Sequence, residues 1–288
     1  MDIFSFKTNY EALSLLPPRP DRSNKGDFGR VLLVCGSRGM AGAAYLSAKA
    51  AYRVGAGLCE IYTHESNRII LQTLLPEAIV TTYDESYMPD SLLSSIERAD
   101  CAVIGCGLGI TPLSRAILSD ALHAIKEKSL PLVLDADALN LISRNPSLLK
   151  YAKGSVITPH AKEMERLCGL SLSDILASPE SIATAYAEKH SLVCVLKDHR
   201  TIVSDGKQTY RNTTGNSGMA TGGSGDVLAG IIGGLLAQSS NGKASELQLA
   251  AVGVYLHGLA GDTAAKELGK YSLMASDIIN ALPKILNW

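Results

Sequence analysis

The stretch Thr221-Gly222-Gly223-Ser224-Gly225-Asp226-Val227-Leu228-Ala229 joins a glycine run directly to an apolar helical pattern. Glycines let backbone N–H groups approach a ligand closely. A helix N-terminus adds unpaired donors and a partial positive charge. Together they form an anion site, most often for phosphate. A carboxylate beside a phosphate needs a purpose, and two are open for Asp226. It can take a proton from an attacking hydroxyl, or it can cap a buried helix. No Lys-Ser or Lys-Thr follows the last glycine, so P-loop chemistry does not apply.

Further candidates stand where apolar runs end. Val31–Cys35 runs into Gly36-Ser37-Arg38-Gly39-Met40-Ala41-Gly42 and a helical stretch that begins near Ala43. Cys101–Ile104 runs into Gly105-Cys106-Gly107-Leu108-Gly109. Leu132–Leu134 ends on Asp135-Ala136-Asp137, two carboxylates able to hold Mg²⁺ directly or through water, with helix capping by Asp137 as the plainer alternative. Val156-Ile157-Thr158 leads to Pro159-His160, with Glu163 in the first turn of the next helix. His160 titrates near neutrality, which leaves proton handling open. Leu192–Leu196 ends on Lys197-Asp198-His199-Arg200-Thr201, and Lys197 is a candidate phosphate or nucleotide contact.

Positioning these residues takes a sheet. Continuous apolar runs suit strands buried on both faces of a parallel sheet, and α/β folds place ligands at the strands' carboxyl ends. Further strands are expected over Leu58–Thr63 and Ala78–Thr82, and Asp205-Gly206 marks a hairpin turn. The C-terminal third reads as helical, and His257-Gly258-Leu259-Ala260-Gly261-Asp262 within it as mainly core packing. Residues 1–28 read as a lead-in segment and 29–288 as a single catalytic domain of α/β class.

The chain has 288 residues, 46% hydrophobic and 19% charged, with net charge −1. That fits one large domain with ample core. The near-neutral balance argues against a nucleic-acid surface, and no apolar run reaches membrane-spanning length. The six cysteines form no CxxC pair and sit mostly in apolar runs, as buried reduced thiols do. No signal peptide is read, and the expected location is cytoplasmic.

The Gly-x-Gly-Asp at a helix start resembles the anion hole of the ribokinase-like family. The longer string NTTGNSGMATGGSGDVLAG resembles one branch of it, the ADP- or ATP-dependent NAD(P)H-hydrate dehydratases. The motifs stand in family order over roughly Gly29 to Leu286: the first glycine turn, GCGLG, DADALN, TPHAKEM, a Lys-bearing strand end, and the glycine-rich string. The resemblance implies a three-layer ribokinase-like sandwich with a largely parallel sheet. It implies dehydration of the S-epimer of hydrated NADH or NADPH, through phosphorylation of the ring hydroxyl and elimination of phosphate.

In that reading Asp226 is the base, and the backbone of Gly222, Gly223, Ser224 and Gly225 binds the phosphoryl group. Glu163 and Asp135 stand near Mg²⁺. Ala43, Gly107, Gly109, His160 and Asp226 line the substrate pocket, and Lys197, Asp198, His199, Arg200 and Thr201 face ADP or ATP. His160, where many kinases of the fold have Asn, is the dehydratase form. Lys-Asp-His-Arg departs from the usual Lys-Gly and leaves the nucleotide contacts open. ADP is favoured as donor because no epimerase domain is fused. A homo-oligomer (a tetramer by resemblance) and pairing with a separate NAD(P)H-hydrate epimerase are implied. Two alternatives stand: a kinase of the same fold acting on a hydroxymethylpyrimidine or hydroxyethylthiazole alcohol, which His160 disfavours, and a non-catalytic nucleotide-binding protein, which retention of Asp226 and Glu163 disfavours.

Overall fold

A computed structural model describes residues 2–239 and 244–287; residues 1, 240–243 and 288 of the expected segments lie outside the described residues. In chain order the elements are β1 (Asp2–Phe4), α1 (Asn9–Leu13), β2 (Arg30–Val34), α2 (Ala41–Arg53), β3 (Leu58–His64), α3 (Arg68–Leu74), β4 (Ile79–Tyr83), α4 (Asp90–Arg98), β5 (Cys101–Ile104) and α5 (Pro112–Lys128). Then follow β6 (Leu132–Leu134), α6 (Ala136–Arg144), β7 (Val156–Ile157), α7 (Ala161–Cys168), α8 (Leu172–Ala177), α9 (Pro179–His190), β8 (Val193–Leu196), β9 (Ile202–Ser204), β10 (Gln208–Arg211), α10 (Ser224–Ala237), α11 (Glu246–Leu268) and α12 (Ala275–Leu286).

The strands form one sheet in the order β1-β10-β9-β8-β7-β6-β5-β2-β3-β4. From β8 through β4 every pairing is parallel. Only β9 runs against its neighbours, β8 and its hairpin partner β10. Its turn is the expected Asp-Gly: Asp205 Oδ1 accepts from the N–H groups of Lys207 and Gln208 at 2.8 Å, and Gly206 takes φ +90°.

Alternate residues of each strand feed opposite cores, the period-2 geometry of a pleated strand. Val31, Leu33, Val103, Val133 and Val195 pack toward α2, α10, α11 and α12. Leu32, Val34, Ile104, Leu134 and Leu196 pack toward α4, α5, α6 and α9. With both faces covered, the central strands β5 to β8 are buried throughout, which is why they read as unbroken apolar runs. This gives the α/β three-layer sandwich expected from the sequence.

α10 lies against the sheet and is apolar nearly all round, as a fully buried helix must be. Its glycines set how close it comes: a Cβ on Gly230 would lie 2.0 Å from the Ser47 carbonyl oxygen of α2. The segment before residue 29 is tied to the sheet. β1 pairs in parallel with β10, and Phe6, Ala12 and Leu13 join the α11-side core. Among the described residues all six cysteines are free, and no helix is long and apolar enough to cross a membrane.

Candidate active site

The carboxyl ends of β2, β5, β6, β7 and β8 open toward the N-terminus of α10. Gly223 sits at the N-cap with φ +87°, a conformation that favours glycine. Its Cβ would also strike Leu46 at 2.5 Å. Gly222 differs: it is exposed, has no positive φ, and a Cβ there would meet nothing within 4 Å. Asp226 is the third helical residue. No backbone N–H bonds its carboxylate among the described residues, so the capping alternative left open by the sequence is not the one adopted.

Asp226 instead faces chemistry. One ligating atom each of Cys106, Asp135 and Asp226 lie within 4.8 Å of one another. Burial, reinforced by the Asp135 charge, pushes the Asp226 carboxyl up to about 6. A base with that pKa is largely ionised at neutrality and still able to hold a proton.

Beside it stands a cluster from three strand ends. Lys197, just past β8, places Nζ 2.7 Å from Asp135 Oδ1 and 3.8 Å from Glu163 Oε2. Thr158, just past β7, donates Oγ1–H to the same Asp135 oxygen at 2.7 Å. Burial alone would lower the Lys197 pKa, but the two carboxylates outweigh it and raise it, so the ammonium stays charged. A Cβ on Gly225 would lie 3.4 Å from Lys197 Nζ and 3.8 Å from Asp135 Oδ2, which puts the mouth of α10 against this cluster.

His160 and Glu163 form a reciprocal cap on α7. His160 Nδ1 accepts from the N–H groups of Lys162 and Glu163 at 3.1 and 3.3 Å, and Glu163 Oε2 accepts from His160 N–H at 2.9 Å. That fixes Nδ1 as the acceptor and leaves Nε2–H outward, 3.4 Å from Glu163 Oε1. Partial burial and the Lys197 charge outweigh Glu163 and lower the His160 pKa. The two glycine turns also lock together: Gly36 N–H donates to Cys106 O at 2.9 Å and Ser37 N–H to Gly107 O at 2.6 Å. Gly109 N–H donates to Asp137 Oδ2 at 2.8 Å, so Asp137 holds this turn in place of capping its own helix.

A cavity of about 820 Å³ spans the other flank of α10. Its lining gathers Lys197, Asp198, His199, Arg200 and Thr201 with Ser224, Gly225 and His160. Ala43, Gly107 and Gly109 are not in that lining. They cluster on the β2–β5 side, where a Cβ on Gly107 would lie 2.9 Å from Ala43 Cβ. The site is therefore two-sided, with Asp226, Asp135 and Lys197 between the flanks.

Sequence reasoning missed several contributors. Thr158 and Cys106 lay inside recognised motifs without a role. The 257–262 segment, read as core packing, lines the cavity with His257 and Gly258. From the same segment Asp262 accepts from Gly215 N–H at 2.8 Å and Asn216 Nδ2 at 2.9 Å, fixing the loop before α10. A partial signal was present: a His and an Asp five residues apart in the mainly apolar middle of α11, though nothing in the sequence says which elements they meet.

Fold and site together place the chain in the ribokinase-like class. The family model described as NAD(P)H-hydrate dehydratase matches residues 31–284, and the chain belongs to that family. It is 38% identical over 274 residues to a bifunctional NAD(P)H-hydrate repair enzyme of Coxiella burnetii, covering 95% of this chain and 53% of that one. The chain thus spans about half the length of the bifunctional relatives. It is 37% identical to an ADP-dependent (S)-NAD(P)H-hydrate dehydratase of Enterococcus faecalis over 93% of this chain and 88% of that one. The solved ADP/ATP-dependent NAD(P)H-hydrate dehydratase of Bacillus subtilis, co-crystallised with ATP and Mg²⁺, superposes with a TM-score of 0.82 at 27% identity, covering 98% of this chain and 97% of that one.

Proposed function

We propose that the protein restores NADH or NADPH from the S-epimer of the hydrated cofactor, using an adenine nucleotide as phosphoryl donor. The observation that carries this is Asp226, a carboxylate of raised pKa one turn inside a glycine-lined helix mouth, between two flanks of the site. Hydroxide leaves poorly, so the ring hydroxyl is first phosphorylated. Its oxygen attacks the terminal phosphorus of the nucleotide as its proton passes to Asp226, and the shortened nucleotide leaves. Phosphate then departs with the C–O electron pair as the ring nitrogen pushes its own pair into the ring. Loss of a proton from the neighbouring ring carbon restores the double bond.

The backbone donors of Gly222, Gly223, Ser224 and Gly225 hold the transferring phosphoryl group, since phosphoryl transfer is mainly positioning and charge stabilisation. Lys197 to Thr201 and the cavity beside them take the nucleotide. Ala43, Gly107 and Gly109 take the hydrated ring from one flank, and His160, which lines the nucleotide cavity, meets it from the other. ADP is the favoured donor, in keeping with the E. faecalis relative.

Asp135 Oδ1 is engaged by Lys197 and Thr158, and Glu163 Oε2 by His160 N–H, whereas Asp135 Oδ2 meets only the Cys106 thiol at 3.8 Å and Glu163 Oε1 only His160 Nε2 at 3.4 Å, both long contacts. That arrangement suits holding the water shell of Mg²⁺, which dehydrates reluctantly. When bound, Mg²⁺ neutralises nucleotide phosphate charge. We also place the chain as a homo-tetramer in the cytoplasm. We pair it with a separate epimerase, because its bifunctional relatives are named as repair enzymes.

The test follows reduced-nicotinamide absorbance when hydrated NADH is mixed with protein, Mg²⁺ and either ADP or ATP. A nucleotide-dependent rise with release of inorganic phosphate supports the reading and names the donor. A stable phosphorylated product, or no reaction with either nucleotide, refutes it.

A further inference from the structure

Ser224 opens α10 at the rim of the cavity, and an imidazole faces it from α11. His257 Nε2 lies 3.3 Å from Ser224 Oγ, and both residues line the cavity. The stretch of α11 around His257 is built to be approached. A Cβ on Gly258 would meet Thr214 Oγ1 at 2.2 Å, and one on Gly261 would meet Met219 Sδ at 2.2 Å. Thr214 Oγ1 donates to Tyr255 O at 2.9 Å on the same helix. The loop that enters α10 is therefore seated on α11, and His257 reaches past it to the first residue of α10.

The chemistry depends on one proton. A hydroxyl carries one donor and two acceptor lone pairs. At an anion site its proton helps only when it points at the anion. An imidazole N–H donating into Ser224 Oγ fills a lone pair and leaves the hydroxyl proton for a phosphate oxygen. The ring is neutral when it does so: burial, with the Lys197 charge adding to it, lowers the His257 pKa to about 4 against an opposing hydrogen bond to the Ser224 backbone. A neutral ring has one N–H to place, and its placement is the function.

We propose that His257 is a positioning residue for phosphoryl recognition: its Nε2–H donates to Ser224 Oγ and directs the Ser224 hydroxyl proton onto the phosphate held at the mouth of α10. This rests on the cavity being the nucleotide site. It goes beyond that reading by giving a role to a residue on a helix outside the glycine-rich motif.

The experiment is a double-mutant cycle read by calorimetric binding of ADP·Mg²⁺, with adenosine as a phosphate-free control. His257→Ala is expected to weaken ADP binding about tenfold, the scale of one hydrogen bond to a charged group, with adenosine binding unchanged. His257→Gln keeps a side-chain N–H donor and is expected to recover most of the loss. In a Ser224→Ala background, His257→Ala is expected to change binding by less than about twofold, because the shared hydroxyl is gone. An undiminished penalty in that background overturns the proposal. So does a His257→Gln as impaired as His257→Ala, or an equal loss for adenosine. Should His257→Ala fail to fold, Ser224→Ala with and without His257→Gln carries the same test, a penalty from His257→Gln in the Ser224→Ala background overturning it. Binding needs no turnover, so a protein that fails to dehydrate the hydrate but passes the cycle loses the dehydratase reading and keeps this one.

Discussion

Lys197 Nζ sits 2.7 Å from Asp135 Oδ1, a contact that joins the ends of β8 and β6 across the intervening β7. Glu163 lies on the other side of the same ammonium at 3.8 Å. No salt bridge reaches Asp226 among the described residues, although it stands beside Asp135. One cation therefore serves a group of three carboxylates. The excess negative charge is one reason the Asp226 carboxyl titrates high, after burial itself.

Breaking that pair should be felt in stability. Lys197→Met leaves Asp135, 1% exposed, without its cation. Removing one partner of a buried pair costs about 3–5 kcal/mol, and partial exposure of the lysine argues for the lower end. The urea midpoint of Lys197→Met is expected to fall accordingly. Lys197→Met combined with Asp135→Asn is expected to recover part of it, since Asp135 no longer carries a charge, while Glu163, 3.8 Å from the same ammonium, still lacks its cation. A single variant with an unchanged midpoint would show that the pair does not hold the strand ends together.

Asp226→Asn separates catalysis from stability. Loss of a general base costs about 10²–10⁴-fold, so turnover should fall by that factor while nucleotide binding persists. Stability should move the other way. Asp226 is raised from 3.8 to about 6 in the fold, so the folded chain binds more protons than the unfolded chain between those values. Ionising Asp226 therefore destabilises the fold as pH rises through about 6 and leaves a standing penalty above it. Removing the charge should raise Tm at pH 7.5, by a free energy on the order of 2 kcal/mol. The wild-type kcat/KM should climb with pH through about 6, where the base ionises. A variant with wild-type turnover would end the base assignment.

Much of this was legible from the chain alone, for reasons visible in particular residues. Val31–Val34 and Cys101–Ile104 read as strands because both faces of the sheet are covered, which leaves no polar alternation to confuse the signal. Asp135, Glu163, Lys197 and Asp226 were legible because α/β sheets bring strand ends and the following helix starts to one edge. Two things were hidden. The pairing of β1 with β10 joins residues some two hundred positions apart and leaves no local pattern. The role of His257 depends on α11 lying against α10, and a lone histidine at helical spacing among apolar residues gives no sign of which helix it meets. The bond that Asp137 accepts was hidden for a similar reason, metal holding and capping having been the two readings open to it: its partner, Gly109, comes from another strand's turn.

Gly222 and Gly223 should respond differently to the same methyl group. At Gly223 the positive φ and the contact with Leu46 make alanine strained in the empty protein. Gly223→Ala should lower Tm. At Gly222 neither obstacle exists, so Gly222→Ala should keep the wild-type melting point to within about 0.5 kcal/mol, as for an ordinary surface change. If the mouth of α10 binds phosphate, the new methyl group competes with it for space, and Gly222→Ala should bind ADP at least tenfold more weakly. An unimpaired affinity would mean that the phosphate lies elsewhere.

The two-flanked site makes a further separation. Gly107 has φ +61°, and its Cβ would lie 2.9 Å from Ala43 Cβ and 3.1 Å from Met40 Cβ. Alanine there must push the β2 turn away from the β5 turn, although Ser37 N–H is bonded to Gly107 O at 2.6 Å. The displacement falls on the flank assigned to the hydrated ring. The cavity beside Lys197 and Ser224 is lined by neither turn. Gly107→Ala should therefore raise KM for the hydrate, or lower kcat by misplacing the hydroxyl from Asp226, while the affinity for ADP stays within twofold of wild type. Calorimetry with ADP and initial rates against hydrated NADH, run on one preparation, measure both quantities. Equal losses in the two would mean that the flanks are not independent, and that the hydrated ring and the nucleotide share the same walls.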